Sequence, residues 1–279
     1  MPDHTKAEAK QYQLCLEMVA APLKTMLQHD RLHLGCGNII LPGWINCDFS
    51  AENHPEVLAF DCVKKWPFPA DYFSAVYTCH TLEHLTDADV KKTIKNIHAS
   101  LKKGGILRVS VPDLEYNCKI YFECCAKNRR SCKIAEKNKL KWARLNLTDQ
   151  YIRKKTGGET KEFIEACDPE TFKYIVKTTG GLEAIKIKDQ PPLGKARTLR
   201  NLWRRIVAAD PQKALQPEIH KSFFDEFKLT EILDANGFRH IRRMREGISR
   251  IPRWNALYAE MNSRGASFRP NSLILEAIR

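Results

Sequence analysis

The chain has no long apolar run. None of its hydrophobic stretches approaches the roughly 18–20 residues a membrane helix needs, so no membrane span is expected. Asp3, Glu8 and Glu17 run through the most helical part of the N-terminal stretch. They argue against a secretory signal, and the expected localisation is cytoplasmic. A Cys-x2-Cys pair is also missing, although ten cysteines are present. Cys118, Cys124, Cys125 and Cys132 are spaced six, one and seven apart, which fits no zinc template, so no metal site is expected. Cys36, Cys47, Cys62 and Cys79 fall in or beside the ends of predicted buried strands, where a free thiol behaves as a small hydrophobe. A chain of 279 residues does not need disulfide staples. Carboxylates are scarce in one segment: residues 118–216 hold 11 Asp/Glu against 23 Lys/Arg, and so carry +12 of the net +13. Such asymmetry suits an acidic partner, whether nucleic acid, a phosphorylated small molecule, an anionic glycan or a lipid surface. A solubilising helical face is the equal alternative.

What is present is an ordinary globular composition, 43% hydrophobic and 28% charged, long enough for one elaborated α/β domain or two small ones. Arg31–Leu34 is a short apolar run that ends in Gly35-Cys36-Gly37, and Trp44–Phe49 is a second run containing Asp48. The pattern predicts a buried strand, a tight turn that a ligand can approach closely, and a second strand delivering a carboxylate to the same edge. In open α/β sheets, ligands bind outside the carboxyl ends of strands, where an acidic residue can hold ribose hydroxyls. Residues 38–43 between the two runs are too few for a helical crossover, so this connection is a loop or single turn.

Residues 5–28 read as an N-terminal helix interrupted at Pro22. Val57–Phe60, leading to Asp61, is a third strand, and Phe73–Thr78 is a fourth. Thr86 and Asp89 have capping-box spacing before Val90, Ile94, Ile97 and Leu101, an amphipathic helix stopped by Gly104-Gly105. Ile106–Val111 is a fifth strand, broken at Pro112-Asp113. From 114 to 216 the strand signal is replaced by polar and basic helices with breaks at Gly157-Gly158, Gly180-Gly181 and Pro191-Pro192. Phe223–Asn236 then reads as a helix with Phe227, Leu229, Ile232 and Leu233 inward and Gly237 at its end. His240–Arg245 and Leu273–Ile278 complete a seven-stranded, mostly parallel sheet. The expected organisation is an N-terminal helical segment 1–30, a core half 31–116, a basic helical insert 117–217 and the rest of the core sheet 218–279.

In this order, these signals resemble a class I S-adenosylmethionine-dependent methyltransferase, with closest likeness to the methyltransferase type 11 group and its bacterial members found with surface-glycan genes. The resemblance rests on Leu34–Gly37, Pro42–Asp48, Pro67-Phe68-Pro69, His80–Leu85, Leu101–Asp113, Leu233–Phe238 and Ser272–Ala277. It is dense over 31–116 and loose over 220–279. It implies an α/β, Rossmann-like sheet with helices on both faces and S-adenosyl-L-methionine as cofactor. It also implies that Gly35, Cys36 and Gly37 line the methionine portion and ribose. Asp48 would accept from the ribose hydroxyls, Asp61 and the Cys62 backbone would read the adenine, and His80 would lie near the sulfonium; either aspartate could instead be a helix or turn cap.

Methyl transfer from a sulfonium is an in-line displacement that needs alignment above all. A hydroxyl acceptor also gains from a general base. His80, His84, Asp113 and His220 are the candidate bases, with His84 and Asp113 each alternatively a helix cap. Two acceptor classes compete. One is a small anionic or glycan-type acceptor methylated on oxygen, with the basic insert holding the anion. The other is RNA, with Arg129-Arg130, Arg153–Lys155 and Trp203–Arg205 tracking phosphates while Tyr121, Trp142, Tyr151 and Trp203 stack bases. Against RNA, no Asn/Asp-Pro-Pro-Tyr-type base pocket follows the fourth strand. A cofactor-binding, non-catalytic partner protein is a third reading.

Overall fold

A computed structural model describes residues 28–49, 56–131, 133–180 and 218–279. The expected N-terminal helix, Gly181, Pro191-Pro192, Cys132 and Trp203–Arg205 lie outside the described residues. By contact density the chain divides into two compact units. The first comprises Met1–Val111, Glu226–Ala259 and Leu273–Arg279, and the second Pro112–Asp225 and Glu260–Ser272.

The first unit holds the sheet. Its strands are β1 (Arg31–Leu34), β2 (Ile45–Asp48), β3 (Val57–Ala59), β4 (Phe73–Cys79), β5 (Leu101–Pro112), β6 (Arg239–Arg243) and β7 (Ser272–Ile278). They form one seven-stranded sheet in the order β3-β2-β1-β4-β5-β7-β6. The β1–β2, β1–β4, β2–β3 and β4–β5 pairs are parallel, and β6 and β7 are antiparallel. Strand order runs outward from β1 in one direction and from β4 in the other, so the β1/β4 junction is the switch point where such sheets open a crevice.

Helix α1 (Asp87–Ser100) is capped as its sequence predicts, the Asp89 amide donating to Thr86 Oγ1 at 3.2 Å. Val90, Ile94 and Ile97 are fully buried along one face. The helix stops at Ser100, earlier than expected, and Gly104-Gly105 belong to β5 instead. The β4–β5 register jumps there, from Phe73↔Leu101 to Ala75↔Ile106, with Gly104 at φ +80 in the irregularity. Helix α6 (Glu226–Ala235) buries Leu229, Ile232 and Leu233, while Phe227 points outward at 78% exposure. Phe227 sits two residues before Leu229, close to the opposite side of a helix at about 100° per residue. Lys228 bonds Asp87 at 2.8 Å, tying α6 to α1.

The other side of the sheet carries a separate cluster of Leu41, Trp44, Ala75, Tyr77, Ile251, Trp254 and Ala259. It is anchored by a buried ion pair between β5 and β7. Arg108 Nη1 meets Glu276 Oε1 at 2.8 Å, both side chains wholly buried. Arg108 also donates to the Ile248 and Arg245 carbonyls at 3.0 and 3.1 Å and lies 4.9 Å from the Trp254 ring. Burial opposes the Glu276 charge, but bonds from Ser249, the Arg250 amide and Arg108 outweigh it and hold the carboxyl below its ordinary range.

The second unit is helical where described: α2 (Leu114–Arg130), α3 (Ile134–Ile152), α4 (Gly158–Ala166) and α5 (Pro169–Thr179). Trp142, Ile164 and Ile175 form its small core. The predicted break at Gly157-Gly158 is the start of α4, where a Cβ on Gly158 would sit 2.3 Å from an Asp149 carboxylate oxygen. That carboxylate accepts from the Glu159 amide at 2.8 Å and so caps α4 from the neighbouring helix. No helix among the described residues is long and apolar enough to cross a membrane.

Candidate cofactor site

The turn after β1 is built by backbone geometry before any side chain enters. Gly35 and Gly37 take φ of +70 and +51, a region that L side chains rarely adopt. The Gly35 and Cys36 amides both donate to the Cys47 carbonyl, at 2.8 and 3.0 Å, folding the turn over the end of β2. The Gly37 amide donates to Asp48 Oδ2 at 2.8 Å. Asp48 is thus fixed beside the turn by a charge-assisted bond. An ionised carboxylate offers about four acceptor positions, so one amide does not exhaust it.

The two glycines differ in what they face. A Cβ on Gly37 would meet nothing within 4 Å, and the residue is exposed. This is an open cradle. A Cβ on Gly35 would fall 2.0 Å from Thr81 Oγ1. Gly35 is therefore required by Thr81, at the end of the neighbouring strand, as well as by its own φ. Thr81 Oγ1 in turn lies 3.3 Å from the Cys79 carbonyl and 3.5 Å from those of Leu34 and Gly35, pinning β1 to β4 at the switch point. Nothing in the sequence marks this packing position, because a lone threonine inside a motif carries no pattern of its own.

Asp61 follows β3, and the Phe60 amide donates to the Asp48 carbonyl at 2.8 Å, which brings the ends of β2 and β3 together. Asp61 Oδ1 accepts from the Val63 amide at 3.1 Å. The Cys62 carbonyl accepts from Trp66 Nε1 at 2.8 Å. Phe60, Trp66 and Phe68 pack edge to face, with ring centroids 5.5–5.7 Å apart, as an apolar wall behind this corner. Phe49, directly after Asp48, exposes 70% of its surface. Burial pushes the Cys36 thiol up to about 12, with the Asp48 charge adding to the effect, and pushes Cys62 up to about 11. Both stay protonated at neutral pH and act as small apolar fillers rather than nucleophiles.

His80 ends β4 in a left-handed conformation, φ +51, with its amide bonded to the Ser110 carbonyl at 2.8 Å. Its Nδ1 lies 3.1 Å from Oε1 of Glu83, a side chain only 1% exposed. A buried carboxylate this close to an imidazole favours its protonated form. His84 ends the short 3-10 turn Leu82–His84. Gly35, Cys36, Gly37, Asp48, Asp61, Cys62 and His80 all lie at the carboxyl ends of the adjacent strands β1–β4.

Two of the four candidate bases belong to the second unit. Asp113 is buried and accepts from the Tyr116 amide at 3.2 Å, so it serves as the N-cap of α2. His220 is buried, its amide bonded to the Gln150 carbonyl at 2.9 Å and its ring edge-on to Tyr151 at 5.2 Å.

A glycine cradle, a strand-end carboxylate and an apolar corner at the switch point of a parallel sheet define a nucleoside-cofactor-binding α/β protein. The family comparison narrows this: residues 33–243 match the methyltransferase-domain model, and the chain belongs to that family. It is an S-adenosylmethionine-dependent methyltransferase of class I. No curated protein matches the chain in sequence. Among solved structures, a SAM-dependent methyltransferase from Archaeoglobus fulgidus is 12% identical, with 99% of this chain and 100% of that one covered at a TM-score of 0.40. Phosphoethanolamine N-methyltransferase 2 of Haemonchus contortus, in complex with S-adenosyl-L-methionine, is 10% identical, with 90% and 48% covered and a TM-score of 0.37. A Clostridium acetobutylicum S-adenosylmethionine-dependent methyltransferase is 20% identical over 42% of this chain and 53% of that one, with a TM-score of 0.27. The chain spans about half the length of the nematode enzyme.

Proposed function

We propose that the chain methylates an oxygen atom of a small anionic or glycan-type acceptor. The observation that carries this reading is the His80–Glu83 pair at the end of β4, 3.1 Å apart, with Glu83 almost wholly buried. Methyl transfer to a neutral amine needs alignment alone, whereas a hydroxyl benefits from proton removal. An imidazole at the strand-end site with a buried carboxylate 3.1 Å from its Nδ1 is suited to be that base, the carboxylate favouring the imidazolium that proton removal creates. S-adenosylmethionine, when bound, supplies a methyl group already activated on its sulfonium. Gly35 and Gly37 bring backbone close to it, Asp48 takes the ribose hydroxyls, and the Asp61–Cys62 corner takes the adenine. Of the four candidate bases, His80 is thus given the role. The anionic class of acceptor rests on the cation excess of residues 118–216.

His80→Gln tests this directly. With an O-acceptor identified from a panel of hydroxylated anionic and sugar substrates, kcat should fall roughly 10²–10⁴-fold while affinity for S-adenosylhomocysteine stays within twofold. Glu83→Gln should lower kcat less and move the pH profile. A raised KM for the cofactor with kcat intact would restrict His80 to cofactor binding. Turnover of amines but no hydroxyl would overturn the oxygen assignment.

A further inference from the structure

Within the second unit, the outward face of α3 has a composition that methyl transfer does not use. Lys137, Lys141, Arg144 and Thr148 are exposed at four-, three- and four-residue steps, with exposed Lys133 at the N-cap. Such spacing keeps them within an arc of about 100° on a helix. The same arc includes Ile134, 76% exposed, and Ile152, 70% exposed, at its two ends. It contains no carboxylate. The acidic residues of α3 lie elsewhere: Glu136 pairs with Lys139 at 3.0 Å, and Asp149 is buried against Arg153 at 2.6 Å. Among the described residues, Lys133, Lys137, Lys141 and Arg144 form no ion pair. The nearest fixed contact is Lys141 Nζ, 5.4 Å from the Phe163 ring. The edge of α2 adds to the surface. Tyr121 and Phe122 lie there with ring centroids 5.8 Å apart, and Phe122 is 68% exposed.

We infer that this face docks onto a membrane surface carrying anionic phospholipid headgroups, with α3 lying along the interface. Cations alone would suit any polyanion. The exposed aliphatic side chains at both ends of the stripe, roughly 27 Å apart at 1.5 Å per residue, favour lipid. An interfacial helix combines Lys/Arg with apolar side chains that enter the headgroup–acyl boundary. Isoleucine offers nothing to a stacked base. Two of the aromatics that could serve a nucleic acid are engaged internally, and Tyr121 and Phe122 at the edge of α2 suit the headgroup boundary equally well. Trp142 is buried beside Phe163, and Tyr151 stacks on Phe223 with centroids 3.8 Å apart. The inference stands independently of the acceptor assignment, because it concerns a surface and not the strand-end site.

The test is co-sedimentation of the full chain with vesicles of phosphatidylcholine alone and of phosphatidylcholine mixed with phosphatidylglycerol, at low and physiological salt. Binding is expected only to the mixed vesicles, and it should weaken with salt. Each cation near an anionic surface is worth about fivefold, so Lys137→Gln/Lys141→Gln/Arg144→Gln should weaken binding about 100-fold. Ile134→Ser/Ile152→Ser keeps every charge and should weaken it about tenfold. Both variants would be used only if their thermal melting matches the parent. Equal binding to neutral vesicles would overturn the inference, as would undiminished binding by the triple variant. Binding of mixed-sequence RNA that the triple variant loses and the isoleucine variant keeps, without anionic-vesicle binding, would assign the face to nucleic acid instead.

Discussion

Replacing Gly35 by alanine should damage this protein more than replacing Gly37, although both glycines lie in one turn and both have positive φ. At φ +70, any L side chain at position 35 costs about 1–2 kcal/mol from backbone strain. The new methyl would also meet Thr81 Oγ1 at 2.0 Å, Cγ2 at 2.6 Å and Cβ at 2.8 Å. No rotation of Thr81 clears its own Cβ, so β1 and β4 must part locally, which adds roughly 1–3 kcal/mol of overpacking. Gly35→Ala is therefore expected to destabilise by about 2–5 kcal/mol. Gly37→Ala meets nothing within 4 Å and retains only the backbone part, about 1–2 kcal/mol. Urea denaturation of the two variants measures the difference. A cycle with Thr81→Gly isolates its origin: the double variant Gly35→Ala/Thr81→Gly should recover about 1–3 kcal/mol relative to additivity. Equal losses at the two glycines, with no coupling to Thr81, would refute the claim that Thr81 dictates Gly35.

Other consequences follow from buried charges. His33 is fully buried, with its ring stacked on Tyr77 at 4.9 Å and Nδ1 3.3 Å from Asn46 Oδ1, and burial lowers its pKa to about 4. The unfolded chain takes up this proton near 6.5 and the folded one only near 4, so between those values the unfolded state binds more protons. Stability should fall as pH drops through that window, by about 3 kcal/mol in full. Urea midpoints at pH 7 and pH 4.5 read this, and His33→Gln should flatten the dependence. Arg108→Ala removes one of the two guanidinium partners of buried Glu276, leaving Arg250 Nε at 3.2 Å, and should cost about 1.5–3 kcal/mol. Removing both charges as Arg108→Met/Glu276→Leu should be far milder, and limited proteolysis between Arg245 and Trp254 should report the freed loop in the single variant.

How far the sequence could be read depended on whether the deciding contact was local. The β1 turn, Asp48 at the end of β2 and the Thr86 cap of α1 are set by neighbours in the chain, and their patterns survive in one dimension. Gly104-Gly105 looked like a helix stop because two glycines after an amphipathic run are ambiguous. What settles them is the register of β5 against β4, thirty residues away. Phe227 looked like core because it is aromatic, yet its helical phase puts it opposite Leu229. Asp113 reads equally as base or cap, and its bond to the Tyr116 amide makes it a cap in the structure. Trp142 and Tyr151 looked available for stacking, but partners at Phe163 and Phe223 engage them. The pairing of His80 with Glu83 was visible as an i, i+3 spacing, but the positive φ that brings the two together was not.

The central claim is that the turn of Gly35–Gly37 and the Asp48 carboxylate hold the nucleoside of the cofactor. Isothermal titration of S-adenosylhomocysteine into the parent chain and into Asp48→Ala tests it most directly. Loss of a charged hydrogen-bonding partner to ribose, at about 1.5–3 kcal/mol per bond, predicts affinity at least tenfold and nearer 100-fold weaker in the variant, with the fold retained. Unchanged affinity in Asp48→Ala would contradict the account.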